Sequence, residues 1–262
     1  MEPSLEETPV PDDLILPSAG PEPMPFDTAL AAVLGYARGR RPLFFRAPNS
    51  RDGRWVQLPA FGYERFDRRP TATGALGEPD ILTAECLHGR LAPDAWAAMK
   101  EALNEVRPLA DAVIDRAAGR PFEDLPDDEF SVLAEPGTVG ALLRQIGQLG
   151  RPGEVRHIAA ALHHRRPDLF PLGVRATRWQ LLPHVREGDS GVEAVIHREL
   201  TDNRAAFSEL QHAVAAVLGD TGRSVLRLHD VLLWLSATLR LSHAVELGRA
   251  TGPVRGTPER GQ

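Results

Sequence analysis

The chain is short of several residue types, and each shortage excludes something. Cys86 is the single cysteine in 262 residues, so no internal disulfide can form, and a reducing compartment is expected. Lys100 is the only lysine among 30 basic residues. The cationic groups are therefore almost all guanidinium, the planar donor suited to bidentate contact with phosphate or carboxylate. No apolar run approaches the length of a membrane helix. The N-terminus lacks the basic segment followed by an apolar run that marks a secretory signal. A cytoplasmic location is expected. There is no phosphate-binding GxxxxGK[ST], no GxSxG and no dinucleotide fingerprint, so the common motif-bearing enzymes gain no support and no cofactor is expected. His157, His163 and His164 lie close together, yet no cysteine or spaced carboxylate completes a ligand set, so no metal is expected.

What is present is a globular composition, 42% hydrophobic and 25% charged, with enough chain for a sizeable core. Charge is distributed unevenly. Residues 1–27 hold seven acids and no Lys or Arg, within a net charge of −6. Such a proline-rich stretch lacks the apolar surface to offset chain entropy, so 1–26 is expected to be a disordered acidic tail. A second disordered tail is expected over 250–262, leaving one mostly helical domain at 27–249. Arg151–Arg186 runs the other way, with seven Arg against Glu154 and Asp168. The acidic tail is expected to occupy this basic stretch as a tethered competitor.

Along the domain, Asp27 is placed to cap a helix reaching Arg38. Two aromatic-containing runs within 43–58, around APNSRDG, predict a small β-hairpin. Helical spacing resumes at Ile81–His88 and again from Pro93, with Trp96, Met99, Leu103 and Val106 at three- to four-residue intervals. Pro108 is expected to end or kink that helix. Thr138 should cap a helix carrying Val139, Leu142, Leu143, Ile146 and Leu149. The next helix buries Val155, Ile158, Ala159 and Leu162 and stops at Pro167. Weaker helices are expected over 174–182, 191–200 and 202–218. Ser224 precedes the most apolar helix, read as continuous from Val225 through Arg249 and central to the core. Trp179 and Trp234 are expected in that core. Asp230, polar within this apolar helix, is expected to be buried, either pairing with an Arg such as Arg227 or capping another helix.

The stretch Arg151–His184 resembles the helix-hairpin-helix segment of base-excision DNA glycosylases. A glycine-containing hairpin (Pro152-Gly153-Glu154) precedes a helix, a basic Arg165-Arg166-Pro167 turn and an apolar-Pro pair at Phe170-Pro171. More closely, the chain is similar to an uncharacterised actinobacterial domain family. Its marks are Arg165-Arg166-Pro167-Asp168-Leu169-Phe170-Pro171 and the Leu226-Arg227 to Asp230 to Trp234 helix, with YERFD (63–67) and ILTAECL (81–87) upstream, so it covers Tyr63 to Leu235. The resemblance implies a mostly α, helix-hairpin-helix, glycosylase-like body. In the glycosylases the hairpin is Gly-x-Gly and a carboxylate supports departure of the base. Here Glu154 stands in the hairpin, and the carboxylate position falls on Val174.

Two functional readings follow. The first is a non-catalytic nucleic-acid-associated protein contacting DNA phosphates without sequence preference through Arg151, Arg156, Arg165, Arg166, Arg175 and Arg178. The second is a protein–protein interaction module that keeps the fold and no longer binds DNA. Convergence of the Arg side chains on one concave face would favour the first, and a broad exposed apolar patch the second.

Overall fold

The computed structural model describes residues 12–49, 51–148, 152–219 and 223–250. Over these residues the chain is mostly helical, with one two-stranded antiparallel sheet. In order, the elements are α1 Phe26–Arg38, β1 Arg40–Arg46, β2 Gly53–Pro59, α2 Glu78–His88, α3 Pro93–Ala117, α4 Val139–Gln148, α5 Pro152–Arg165, α6 Arg175–Leu181, α7 Val192–Asp202, α8 Arg204–Leu218, α9 Val225–Ala237 and α10 Leu241–Ala250. No helix among the described residues is long and apolar enough to cross a membrane.

The core is organised around α9. Ser224 caps it by accepting the Arg227 amide at 3.1 Å while its hydroxyl donates to the Pro167 carbonyl at 2.5 Å. Leu226, Leu228, Leu232 and Leu235 are fully enclosed, and α1, α6, α7, α8 and α10 all pack against the helix. Thr138 caps α4 as the sequence suggests, accepting the Ala141 amide at 3.3 Å.

Several expectations are corrected. The expected tail at 1–26 is folded from Asp12 onward, and residues 1–11 lie outside the described residues. Leu14 and Met24 bridge through paired backbone bonds of 2.9 and 2.8 Å. Leu14, Leu16, Met24 and Phe26 are buried. Ser18 is held by Glu199 at 2.8 and 2.7 Å, and Ile15 by Asn203 at 2.6 and 2.8 Å. A buried apolar side chain contributes about 1.5–3 kcal/mol, so four of them plus these bonds offset the ordering of a segment whose composition is acidic. Residues 12–26 are therefore docked on the body and cannot serve as a free competitor for the basic stretch.

The α1 amide end is capped from a distance, since the Phe26 amide reaches Asp13 at 3.4 Å rather than Asp27 capping it. Pro108 interrupts nothing, because α3 runs through it from Pro93 to Ala117. The C-terminal helix is two helices. Leu239 takes φ +56 and is 92% exposed, and the Arg240 amide returns to the Leu235 carbonyl at 2.8 Å. This break turns α10 back across α1, where Gly35 and Gly248 let the two backbones meet.

Candidate functional site

One face of α9 carries Arg227, Asp230 and Trp234, three and four residues apart and so one above another. Arg227 reaches Asp67 in a two-pronged ion pair of 2.5 and 3.0 Å, and its second prong also donates to the Tyr36 hydroxyl at 2.9 Å. Tyr36 donates in turn to Asp67 at 2.9 Å. Burial alone would raise the Asp67 pKa, but the adjacent Arg227 charge outweighs it and holds the carboxyl below its ordinary value. Burial foremost, with the Asp67 charge, drives the Tyr36 hydroxyl far up, so it stays protonated.

Asp230 is buried, as expected, but Arg227 is not its ion-pair partner. Its Oδ2 accepts the Leu172 amide at 3.1 Å and lies 3.8 Å from His163 Nδ1. The competing acceptor that won Arg227 is Asp67, which sits in the YERFD stretch 160 residues earlier.

A cleft of about 200 Å³ opens against this face. Leu87, Leu172, Val174 and Trp234 supply apolar walls, Asp230 lies deep, and the exposed side chains of Arg156 and Arg175 stand at its edge. Val174, at the position where the glycosylase resemblance places a carboxylate, does line the cleft. His88 also lines it. Its pKa is lowered to about 4, first by burial and then by His157 and Arg156.

The six arginines nominated from sequence fall into three groups. Arg151 lies outside the described residues. Arg165 and Arg166 are internal ties. Arg165, with a side chain 15% exposed, grips Asp80 at 2.5 and 2.8 Å and donates to the Gly74 and Ala75 carbonyls. Arg166 grips Asp168 at 3.0 and 2.9 Å. Arg165 closes the last turn of α5 and Arg166 follows it, and nearby carboxylates engage both, so they are not free phosphate contacts. Arg156, Arg175 and Arg178 are exposed and make no ion pair among the described residues. Glu154, expected to face a phosphate, is buried.

Trp179, expected in the core, is instead exposed beside Arg178. The three nearby histidines serve the backbone. His157 meets the Gly153 and Gly89 carbonyls, His163 that of Phe170 and His164 that of Arg69. Among the described residues no group of three or more His, Cys, Asp or Glu could hold a metal ion.

Sequence reasoning placed the hairpin but missed what it displays. β1 and β2 pair in register from Arg40 opposite Pro59 to Arg46 opposite Gly53. No helix among the described residues packs closely on this ribbon. On one face Phe44 and Trp55 lie directly opposite, rings 5.4 Å apart and edge to face. They are 51% and 69% exposed. The Phe44 ring covers Gly53 so closely that a Cβ there would approach it to 2.2 Å. On the other face Phe45 lies opposite Arg54, with Leu43 and Arg41 along the same strand. Arg41, Arg51 and Arg54 are exposed and form no ion pair among the described residues. The available signal was RRPLFFR itself, three apolar residues in a row inside a strand flanked by arginine. An ordinary half-buried strand alternates, so this one had to be buried on both faces or displayed on both.

A family of unknown function (DUF6308) matches residues 49–237. The match begins inside the hairpin loop and ends at the last residue of α9, so it takes in α2 through α9 and both sides of the cleft. No curated protein and no solved structure matches the chain.

Proposed function

The chain belongs to this family of unknown function (DUF6308), and within it we propose that the protein is a cytoplasmic, non-catalytic nucleic-acid-associated protein that holds phosphates without sequence preference. The observation that carries the reading is the ribbon. It displays Phe44 and Trp55 on one face and Phe45 on the other, beside exposed Arg41 and Arg54, and no helix among the described residues packs closely on it. Exposed aromatic rings stack on unpaired bases, and arginines follow the phosphate backbone. Arg156, Arg175 and Arg178 extend the cationic surface to the cleft edge and α6. The resemblance to helix-hairpin-helix glycosylases bears on the same reading through the α4–α5 pair alone, since Pro152-Gly153-Glu154 forms the first turn of α5 rather than a hairpin. Val174 in the cleft supports binding without base excision.

A protein–protein interaction module is the second reading, favoured by Trp179 and Leu182, exposed on and just beyond α6. Affinity for a random single strand and a random duplex, measured across a salt series, separates the two. Each removal among Arg156, Arg175 and Arg178 should reduce the salt slope by about 1. Trp55→Ala should weaken single-strand binding by about 1–3 kcal/mol. No binding of either form at low salt returns the protein to the interaction-module reading. Release of abasic sites from duplexes with damaged bases would end the non-catalytic part of the proposal.

A further inference from the structure

A second cleft, of about 450 Å³, opens on the other side of the Arg227–Asp67 pair. Its lining includes Arg68, Arg69, Thr71, His164, Pro167 and Arg223. Arg223 is the anomaly. It is 7% exposed, its guanidinium lies 4.3 Å over the Tyr63 ring, and its Nε and Nη1 are buried with no hydrogen-bond partner among the described residues. Buried Arg227 has Asp67 as its partner, and half-buried Arg165 and Arg198 have Asp80 and, at 2.8 Å, Asp189. A buried cation with open donors has lost its hydration without replacement, an expensive state that native proteins rarely leave unexplained.

Nothing lining the cleft answers it. Among the described residues Asp67 is the one carboxylate lining it, and its two oxygens are already engaged by Arg227 and Tyr36. His163 and His164 add no charge, because burial first of all lowers the pKa of each. Arg69 touches the Cys86 sulfur rather than an acid, and Arg68 is exposed and forms no ion pair among the described residues. The cleft therefore has an excess of positive charge, a buried guanidinium with open donors, and room for a ligand.

We propose that this cleft is an anion site that takes a phosphate group, held by the Arg223 guanidinium with Arg68 closing over the rest. A guanidinium with open donors suits phosphate oxygens, and several cations around one space favour a multiply charged oxyanion. The phosphate could be a monoester or a link in a nucleic-acid backbone. The site stands on geometry separate from the hairpin and does not depend on the reading proposed for it.

The test is thermal unfolding of the full chain against increasing inorganic phosphate, with ionic strength held by chloride. Wild type should rise in Tm with phosphate, as any ligand of the native state requires. Arg223→Gln should weaken the apparent affinity at least roughly tenfold. Arg68→Glu, a change at an exposed position, decides the matter if Arg223→Gln fails to fold. Trp55→Ala should leave the phosphate response intact. A short single strand with and without a 5′-phosphate then separates the sources. A 5′-phosphate-dependent gain identifies a monoester, and an equal loss for both strands in Arg223→Gln identifies the backbone. No rise beyond the chloride control, or a rise retained in both Arg variants, overturns the proposal.

Discussion

Arg227 on α9 and Asp67 in the segment after the hairpin form a bidentate ion pair, each side chain more than nine-tenths buried. The pair ties the central helix to a loop 160 residues earlier and separates the two clefts, with Tyr36 satisfying both partners from α1. Removing one member leaves the other charge buried and unanswered. Asp67→Ala should therefore lower stability by about 3–5 kcal/mol. Urea unfolding measures it, and an unchanged midpoint would mean that the pair is not enclosed as described.

Arg165 and Arg156 lie nine residues apart on one helix and should behave in opposite ways. Arg165 is committed to Asp80, which also accepts the Gly77 amide at the start of α2. Arg165→Ala should cost about 1.5–3 kcal/mol and leave the salt dependence of nucleic-acid binding unchanged. Arg156→Ala should leave Tm in place and reduce the salt slope. Paired melting and binding curves for the two variants expose any reversal.

Gly35 on α1 and Gly248 on α10 mark the tightest helix crossing in the described body. A Cβ at Gly35 would stand 1.8 Å from the Ala244 carbonyl oxygen, and one at Gly248 the same distance from the Ala31 oxygen. Backbone cannot swing aside as a flexible side chain can, so either Gly→Ala change must part the helices. Each should cost at least about 1–3 kcal/mol despite the better helix propensity of alanine. A melting temperature that rises in either variant contradicts the crossing.

His88 predicts an acid-sensitive window. Its folded pKa is about 4 against an ordinary 6.5, with burial as the main cause. Between these values the unfolded chain binds a proton that the folded chain refuses, so stability falls as the pH drops from 6.5 towards 4. His163, His164 and His197 are lowered by burial too and act in the same direction. Asp67 and Glu199, lowered by Arg227 and His229 against the opposing effect of burial, lose their contribution at lower pH. Urea midpoints across pH 7 to 4 should decline in wild type and decline less in His88→Gln. Parallel curves would remove His88 from the effect.

Periodicity and capping residues made much of this fold legible without coordinates. Helical spacing located α3, α4 and α5, Thr138 and Ser224 marked the starts of α4 and α9, and the two aromatic runs located the hairpin. These are local signals, written within a turn or two of the residues that they organise. The candidate sites were less legible because a side chain's use depends on what else reaches it. Arg165, Arg166 and Arg156 look alike in sequence; only folding brings Asp80 against the first, while Asp168 waits two residues from the second. Composition alone expected a free acidic tail, and four buried apolar side chains overruled it from Asp12 onward.

The sequence by itself determined the mostly helical class, the hairpin and the arginine-dominated cationic surface, because each rests on residue type and short-range spacing. Only the tertiary structure decided which arginines are structural, that Asp67 rather than Asp230 holds Arg227, and that Arg223 is buried with no carboxylate partner among the described residues. Those outcomes are set by competition among partners up to 160 positions apart, and hydrogen bonding and burial between such partners leave no periodic trace in the chain.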